Sequence, residues 1–283
     1  MAFFSRLDAW TACFQQLVLI SNGATEAFWQ QLATYSANSS ATFTLMSNTH
    51  NLGIAAALNQ GLNLALAQQF TWVVTFDQDT QCYPFLLQEF EHIYSNAEDK
   101  PLLLGSNYWH AALNQPLIPE NATGFCFERK TIISSGMLLW TGLPAIIGYF
   151  REDYFIDSVD HEFALRARRH GYRVWISSRL LMHHHIGSAR TDHRCRYLRI
   201  PEHSALRKYY IFRNCLTTVF SYARQEPMWC LRQFARLAVE LLAIIGYERP
   251  KVRKLQAAFL GLTHAVRGKM GELRDKPCIS DAL

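Results

Sequence analysis

The stretch from Thr71 to Thr80 constrains the fold most, because an apolar run ends there in two aspartates. Residues 71–76 have the composition of a buried strand, and Asp77 and Asp79 follow at its carboxyl end. Two carboxylates in this position can bind a hard divalent cation and the phosphates that it carries. Their side chains point to the same side only if the backbone stays extended, since side chains of a strand alternate. The same pattern is also typical of an ordinary turn.

Helices and strands alternate along the chain before this run. We expect helices over 5–16, over 25–35 and from 51 onward, and strands over 16–20 and 42–46. The alternation predicts parallel strands joined by right-handed crossovers, as in an α/β fold. Ligands of such sheets bind beyond the carboxyl ends of the strands. Asn22, Asn51 and Asp77 all fall at such ends.

A mixed sheet is the simplest interpretation of the residues that follow Asp79. We expect a helix over 82–97, a strand over 101–105, strands near 123–128 and 131–140, and a helix that stops at Gly171. From about residue 203 the pattern is helical, amphipathic and basic. We therefore predict an α/β domain over residues 1–200, with a mainly parallel mixed sheet flanked by helices, and a helical region over 201–283.

The charge of the chain is unevenly distributed. Residues 1–180 carry 10 Lys and Arg against 15 Asp and Glu, a balance of −5, whereas residues 181–283 carry 18 against 8, a balance of +10. A basic C-terminal part favours polyanionic partners such as nucleotide diphosphates, anionic lipids or nucleic acid. No known nucleic-acid-binding motif accompanies it, so we expect no nucleic-acid partner.

The chain has no apolar run long enough for a membrane-spanning helix and no recognisable signal peptide, so we expect a cytoplasmic protein. Its cysteines are odd in number and contain no C-x-x-C pair, which predicts reduced thiols and neither a disulfide framework nor a zinc site. They lie at positions 13, 82, 126, 195, 215, 230 and 278.

Asp160 is our candidate for a general base. Apolar residues approach it in the segment 155–162, and such surroundings can raise the pKa of a carboxyl group. Asp157 and Glu162 in the same segment compete for this role. Alternatively, Asp160 only caps the helix that follows.

Histidines and arginines in the C-terminal half could bind a metal ion or phosphate groups. Three consecutive histidines, His183 to His185, end a predicted strand, and one of them could complete a metal site with the aspartates. Such a triplet is also common on protein surfaces. Arg207 and Arg213 could clamp phosphates, or they could belong to an ordinary helix with a solvated rim.

Taken together, these segments give the chain a resemblance to the family 2 glycosyltransferases of GT-A fold, and within them to bacterial rhamnosyltransferases of cell-surface polysaccharide synthesis. The resemblance spans most of the chain. It rests on Asn51-Leu-Gly-Ile-Ala55, Ala57-Leu-Asn-Gln-Gly61, Phe76-Asp-Gln-Asp-Thr80, Ser135-Gly136, Phe155–Glu162 with Arg166 and Gly171, the His-x-Ile-Gly of 184–187, and Arg207–Asn214.

The resemblance implies an inverting transfer of a sugar, expected to be L-rhamnose from dTDP-L-rhamnose, to a hydroxyl of a glycan or lipid-linked acceptor. In this family, residues at the matching positions act as base, hold a Mg²⁺ or Mn²⁺ ion, or contact the nucleotide sugar. The implied base is Asp160, the implied metal ligands are Asp77, Asp79 and His184, and the implied nucleotide-sugar contacts are Asn22, Asn51, Asn59, Asp77, Arg207 and Arg213.

One departure from the family concerns its usual first strand, which would precede the helix at 5–16 and for which we find no counterpart in this sequence. The alternative to an active enzyme is therefore a catalytically impaired relative that acts as a binding or scaffold subunit in polysaccharide assembly. A nucleotidyltransferase would share the sheet and the paired carboxylates, but it would usually open with a Gly-rich basic loop that is missing here.

The C-terminal helices allow two interpretations. Residues 237–247 are apolar and residues 249–254 are basic, a combination that suits peripheral docking on the inner face of the cell membrane. Alternatively, this helix packs on the catalytic domain or in a homodimer interface.

Overall fold

The computed structural model describes residues 2–14, 16–110, 114–119, 122–184 and 203–273. The first part contains α1 (Ala2–Cys13), β1 (Gln16–Asn22), α2 (Glu26–Ala37), β2 (Thr42–Asn48), α3 (Ile54–Ala67), β3 (Trp72–Thr75), β4 (Thr80–Cys82), α4 (Leu86–Asn96) and β5 (Leu103–His110). The second part contains β6 (Gln115–Pro116), β7 (Cys126–Arg129), β8 (Met137–Trp140), α5 (Leu143–Ile147), a 3-10 turn (Glu152–Tyr154), α6 (Val159–Arg169), β9 (Val174–His184), α7 (Ala205–Tyr222), α8 (Pro227–Gly246) and α9 (Lys251–Val266).

The predicted order of helices and strands up to α3 is confirmed, and local signals explain several boundaries. Thr25 caps α2, since its side chain accepts a hydrogen bond from the N–H of Phe28. Gly171, with φ at +87°, follows the end of α6. The prediction missed the short strand β4, which pairs with the end of β9, so that α4 begins at Leu86 and not at 82.

The strands form two sheets. β1 and β2 make a two-stranded parallel sheet, and the larger sheet has the order β3-β8-β5-β9-β4, with β6 on β5 and β7 on β9. A mixed sheet was expected and is confirmed. The prediction of mainly parallel strands is wrong for the larger sheet. Within the described residues, β5 and β9 form its parallel pair, and its other strand pairs are antiparallel. No described helix separates β5 from β8, and a parallel pair needs such a crossover.

β1 and β3 lie in different sheets, and none of the described strand pairs connects them. Helix α3 contacts both strands. Residues of β1 and β3 also pack into one apolar cluster with Leu7 and Trp10 of α1. The two sheets are therefore held together by side-chain packing and by α3.

The C-terminal helices were expected from the sequence and are confirmed as α7, α8 and α9. They enclose an apolar cluster of their own, to which Leu165 of α6 also contributes. A buried ion-pair network ties them together, since the Lys208 ammonium contacts Glu240 and Glu248 at 2.6 Å each. The division at residues 200 and 201 stays a prediction, because it falls outside the described residues.

Among the described residues, no helix is long and apolar enough to cross a membrane. The described cysteines are free thiols, as expected. Cys195 and Cys278 lie outside the described residues.

Candidate active site

The backbone turns sharply between Asp77 and Thr80. β3 ends at Thr75, and the N–H of Thr80 donates to the carbonyl oxygen of Asp77 at 3.1 Å. The segment thus forms the turn that the sequence left open as an alternative to an extended backbone, since this i to i+3 hydrogen bond closes a turn before β4 begins. Oδ1 of Asp79 is buried within this turn.

The segment that precedes β8 fixes the turn from the other side. The N–H of Asp77 donates to Oγ of Ser135 at 3.2 Å, and the hydroxyl groups of Thr80 and Ser135 are hydrogen-bonded to each other. Gly136 continues the contact, because its N–H donates to the carbonyl oxygen of Thr75 at 2.7 Å. The aspartate turn is thus held on a well-connected backbone.

Asp160 lies in the first turn of α6 and faces the same segment. Its Oδ2 accepts a hydrogen bond from the N–H of Ser134 at 3.2 Å, and its Oδ1 accepts one from the N–H of His161 at 2.8 Å. Because Ser134 and Ser135 are consecutive, two adjacent residues hold Asp160 and the aspartate turn. The predicted base and the predicted diphosphate site therefore meet at one point of the structure.

Each of the two competing carboxylates forms an ion pair with an arginine. Asp157 pairs with Arg207, whose Nη2 lies 3.2 Å from Oδ1. Burial raises the pKa of the Asp157 carboxyl, and the neighbouring guanidinium offsets part of this rise. Glu162 is buried, pairs with Arg166 at 2.8 Å and accepts a hydrogen bond from a tyrosine hydroxyl of α7. Of the three carboxylates, Asp160 is the one whose hydrogen bonds come from backbone N–H groups.

The loop before α6 has an unusual backbone. Phe155, Asp157 and Ser158 have φ angles of +66°, +64° and +60°, a region that is unfavourable for residues with a side chain. Asn214 of α7 holds this loop, because its Nδ2 lies within 2.6 to 3.0 Å of the carbonyl oxygens of Tyr154, Ile156 and Asp157. Such strained residues persist where the surroundings fix them, often at functional sites.

The start of α3 supports the loop from the opposite side. The N–H of Ile54 donates to the carbonyl oxygen of Phe155 at 2.8 Å. A Cβ atom on Gly53 would lie only 2.5 Å from that oxygen, so the close approach requires glycine. Gly53 and Ile54 thus contact the loop that carries the candidate base.

The predicted asparagines lie in different surroundings. Asn22 donates to the carbonyl oxygen of Gly53 at 3.0 Å and accepts from Asn48, so it links β1 and β2 to α3. Asn51 is exposed, with its Oδ1 bound to the N–H of Gly53. Asn59 is buried and its side chain bonds both main-chain groups of Phe150. This geometry favours a supporting position for Asn59, whose contact with a nucleotide sugar stays a prediction.

The predicted arginines differ in the same way. Arg207 is partly exposed and pairs with Asp157 beside the candidate base. Arg213 is fully buried and donates to the carbonyl oxygens of Asp153, Tyr154 and Gly271. Its donors are thus directed at the protein backbone, and its contact with phosphate stays a prediction that the geometry does not favour.

The histidine run meets the aspartate turn in the sheet. In the β4–β9 ladder, His184 lies opposite Thr80, the residue after Asp79. Nε2 of His183 is 2.7 Å from the hydroxyl of Tyr83. His185 and the following Ile-Gly lie outside the described residues. The backbone of His184 thus lies next to the aspartate turn, and its role as a metal ligand stays a prediction.

The donor set suits a hard cation. Mg²⁺ and Mn²⁺ are commonly bound by one or two carboxylates together with substrate phosphates. Asp77 and Asp79 supply such carboxylates at the end of β3. In the described part of the chain, no three His, Cys, Asp or Glu side chains form a ready metal site.

Ser134, Ser135 and Asn214 are the residues that the sequence did not assign to the site. Ser135 and Asn214 belong to the segments that carry the family resemblance, but nothing in the spacing indicates which groups they bind. A surface groove of about 880 Å³ lies elsewhere, between α1 and α2. None of the predicted site residues lines it.

Comparison with known proteins finds similarity in sequence and in fold. Residues 4–101 match the family model for glycosyl transferase family 2. The dTDP-rhamnosyl transferase RfbF of Shigella flexneri is 26% identical over 237 residues, which cover 78% of this chain and 77% of that protein.

Two solved structures have a similar fold. TarS 1–349 from S. aureus superposes with a TM-score of 0.60, at 13% identity, over 94% of this chain and 77% of that chain. The mannosyltransferase PcManGT from Pyrobaculum calidifontis, solved with GDP-Man and Mn²⁺, gives a TM-score of 0.57 at 13% identity, over 95% of this chain and 84% of that one.

Proposed function

We propose that this chain, a glycosyltransferase with a family 2 domain and the GT-A fold, transfers L-rhamnose from dTDP-L-rhamnose to a hydroxyl of a cell-surface polysaccharide or lipid-linked glycan. The donor is inferred from the relative that is described as a dTDP-rhamnosyl transferase. The lipid-linked or polysaccharide acceptor follows from the resemblance in sequence.

The observation that carries the proposal is that Ser134 and Ser135 form hydrogen bonds to both Asp160 and the aspartate turn. Ser134 binds Asp160 through its N–H, and Ser135 binds the aspartate turn through its hydroxyl. A sugar donor needs a site for its diphosphate, and an acceptor hydroxyl needs a base nearby. The serine pair connects the Asp160 carboxylate to the backbone of the aspartate turn, which suits the precise positioning that the reaction requires.

In the proposed reaction, Asp160 acts as the general base. It accepts the proton of the acceptor hydroxyl while that oxygen forms a bond to the anomeric carbon of the sugar. The bond between the anomeric carbon and the diphosphate oxygen breaks, and the electron pair leaves with the nucleotide diphosphate. A single in-line displacement inverts the anomeric configuration and needs one base and no protein nucleophile.

Asp77, Asp79 and His184 would hold a Mg²⁺ or Mn²⁺ ion. When bound, such an ion would neutralise charge on the diphosphate. The proposal is supported by the donor set described above and by the Mn²⁺ in the PcManGT structure. The protein's own contribution is to keep the two carboxylates in a fixed turn.

Arg207 and the exposed Asn51 are the best placed of the predicted donor contacts. Arg207 lies beside the base through its pair with Asp157. Asn51 follows β2, at the carboxyl end of a parallel pair, where nucleotides bind in such sheets. We propose that both side chains contact the nucleotide sugar, and that Asn22, Asn59 and Arg213 support the loops around it.

The test is calorimetric binding of dTDP-L-rhamnose, UDP-glucose and GDP-mannose, each with and without Mn²⁺. We expect dTDP-L-rhamnose to bind at least about tenfold more tightly than the other two, and to do so only with the metal. Preference for another nucleotide sugar would reject the rhamnosyl assignment. Absence of binding by all three would reject the enzyme and favour the binding or scaffold role.

A further inference from the structure

Helix α8 is apolar on two opposite sides. Its inner side packs on α7 and α9 through residues such as Leu237 and Ile244. Its other side, which we call the outer face of α8, is made of exposed apolar residues. These are Met228, Leu231, Phe234, Ala235, Ala238, Val239, Leu242 and Ile245. Soluble helices normally turn polar residues to the solvent, and a helix that is apolar all round is normally covered.

The outer face is wide as well as exposed. At 3.6 residues per turn its eight residues fill a sector of roughly 140°. No charged residue falls inside this sector, and the exposed fraction reaches 60% at Leu231 and 66% at Leu242. A coiled-coil seam is a narrower stripe than this. A broad apolar sector is instead typical of a helix that lies in a membrane interface.

The exposed charged side chains around the outer face are all positive. Every carboxylate between residues 221 and 266 is engaged in an ion pair. Glu226 binds Lys130 and Arg168, Glu240 binds Lys208, and Glu248 binds Lys208 and Lys254. All exposed charged side chains in this segment are basic, namely Arg224, Arg232, Arg236, Arg249, Lys251 and Arg253. The surface therefore offers positive charge and no exposed carboxylate that could pair with a second copy of itself.

Helix α8 also lies next to the candidate base. The ring of Trp229 contacts that of His161, the residue after Asp160, edge-on at 6.0 Å. The positive charge of Arg236, also on α8, offsets part of the rise in the pKa of Asp157. The inner side of α8 therefore packs against the segment that carries Asp160.

We propose that the outer face of α8 docks this protein on the surface of a bilayer rich in anionic lipids. The apolar residues enter the boundary between headgroups and acyl chains, and the surrounding arginines and Lys251 bind the lipid phosphates. In this proposal α8 lies in the plane of the interface, with its apolar sector toward the acyl chains. This inference does not depend on which sugar is transferred.

Flotation of the full chain with vesicles tests the proposal. We expect binding to vesicles of phosphatidylcholine with 30% phosphatidylglycerol at low salt, and weaker binding at 0.5 M NaCl or to phosphatidylcholine alone. The double variant Leu231→Glu, Leu242→Glu should lose at least about tenfold in bound fraction, because it places carboxylates in the apolar sector. Both side chains are exposed, so the variant should melt within a few degrees of the parent.

Ile146→Glu is the matched control. Ile146 is 50% exposed but belongs to α5 and not to the outer face of α8, so the variant should float like the parent. The proposal is overturned if the parent does not float with anionic vesicles at low salt, or if the double variant floats as well as the parent. A dimer of the parent in analytical ultracentrifugation that the double variant converts to a monomer, without lipid binding, assigns the face to a second copy instead.

Donor binding, measured by calorimetry in the same variants, separates this proposal from the proposed function. The outer face contacts none of the predicted donor residues, so the double variant should bind a nucleotide sugar as the parent does. Loss of flotation with unchanged donor binding supports docking alone. Failure of the parent to bind any nucleotide sugar would reject the proposed function and leave the flotation result valid.

Discussion

The backbone N–H of Ser134 lies 3.2 Å from Oδ2 of Asp160, while the next residue accepts a hydrogen bond from the backbone of Asp77. Two elements that are far apart in sequence, the end of β3 and the start of α6, therefore share one support. A displacement of this segment would move the base and the aspartate turn together. Substitutions of Asp160 and of Asp79 therefore test the base and the aspartate turn separately.

Asp160→Asn should abolish sugar transfer and leave donor binding nearly intact. The amide keeps the shape of the side chain but cannot accept the proton of the acceptor hydroxyl, and loss of a general base costs about 100- to 10,000-fold in rate. Turnover is measured with the acceptor, and donor affinity by calorimetry. Asp153→Asn is the control, since the Asp153 carboxylate pairs with Arg151 in the segment that precedes the same loop. This variant should remain active. Full turnover of Asp160→Asn would show that the base is another residue.

Asp79→Ala should weaken binding of the donor in the presence of Mn²⁺ by at least about tenfold, which equals about 1.4 kcal/mol. The reason is that a carboxylate of the proposed metal site is lost. Titrations with and without Mn²⁺ measure the effect, and the metal should no longer improve binding in the variant. Asp99→Ala removes an exposed carboxylate elsewhere and should bind the donor normally. An unchanged response of Asp79→Ala to the metal would exclude this residue as a ligand.

Much of the fold could be predicted because it depends on local patterns. Thr25 begins α2 and Gly171 follows α6, as expected from residue preferences at helix ends. The turn at Asp77 and the strand β4 could not be predicted, since β4 exists only through pairing with the distant strand β9. Local propensity carries no information about such a partner.

The site was predictable in its residue types and less so in its contacts. Asp160 could be singled out by its apolar surroundings, but its advantage over Asp157 and Glu162 depends on which arginines reach those two carboxylates. Arg213 has the composition of a phosphate ligand, yet it is buried against backbone carbonyl groups. Only the three-dimensional arrangement distinguishes a guanidinium that faces a ligand from one that holds a loop.

Asn214→Ala should destabilise the protein and slow the reaction. Three carbonyl oxygens of the loop before α6 lose a buried donor, and an unsatisfied buried group costs about 1 to 3 kcal/mol. The loop includes residues with positive φ, so its conformation should relax and Asp160 should shift.

Urea unfolding and steady-state kinetics measure both effects of Asn214→Ala. We expect kcat to fall by more than KM for the donor changes, because the support acts on the base. Ser221→Ala serves as control, since its exposed hydroxyl bonds only within the same helix. A variant that is less stable but has an unchanged kcat would show that the loop needs no support from Asn214 to place the base.

Glu226→Gln should remove a pH-dependent part of the stability. Burial alone would raise the pKa of Glu226, but hydrogen bonds from Lys130 and Arg168 bring it below its ordinary value. A carboxylate with a depressed pKa in the folded state stabilises the protein above its unfolded pKa of about 4.3, and this contribution is lost as the pH falls through the folded value. The residue connects the start of α8 to Lys130, which follows β7, and to Arg168 of α6, so its loss should loosen the C-terminal helices from the sheet domain.

Urea unfolding of the parent and of Glu226→Gln between pH 3 and pH 8 measures this contribution. We expect the variant to be about 1 to 2 kcal/mol less stable at pH 7, with a difference that shrinks toward zero as the pH falls below about 4. Glu91→Gln, which changes an exposed carboxylate on α4, is the matched control. A constant difference for Glu226→Gln across this range would contradict the prediction, because it would show that the ionised carboxylate gains nothing from its two cationic neighbours in the folded state.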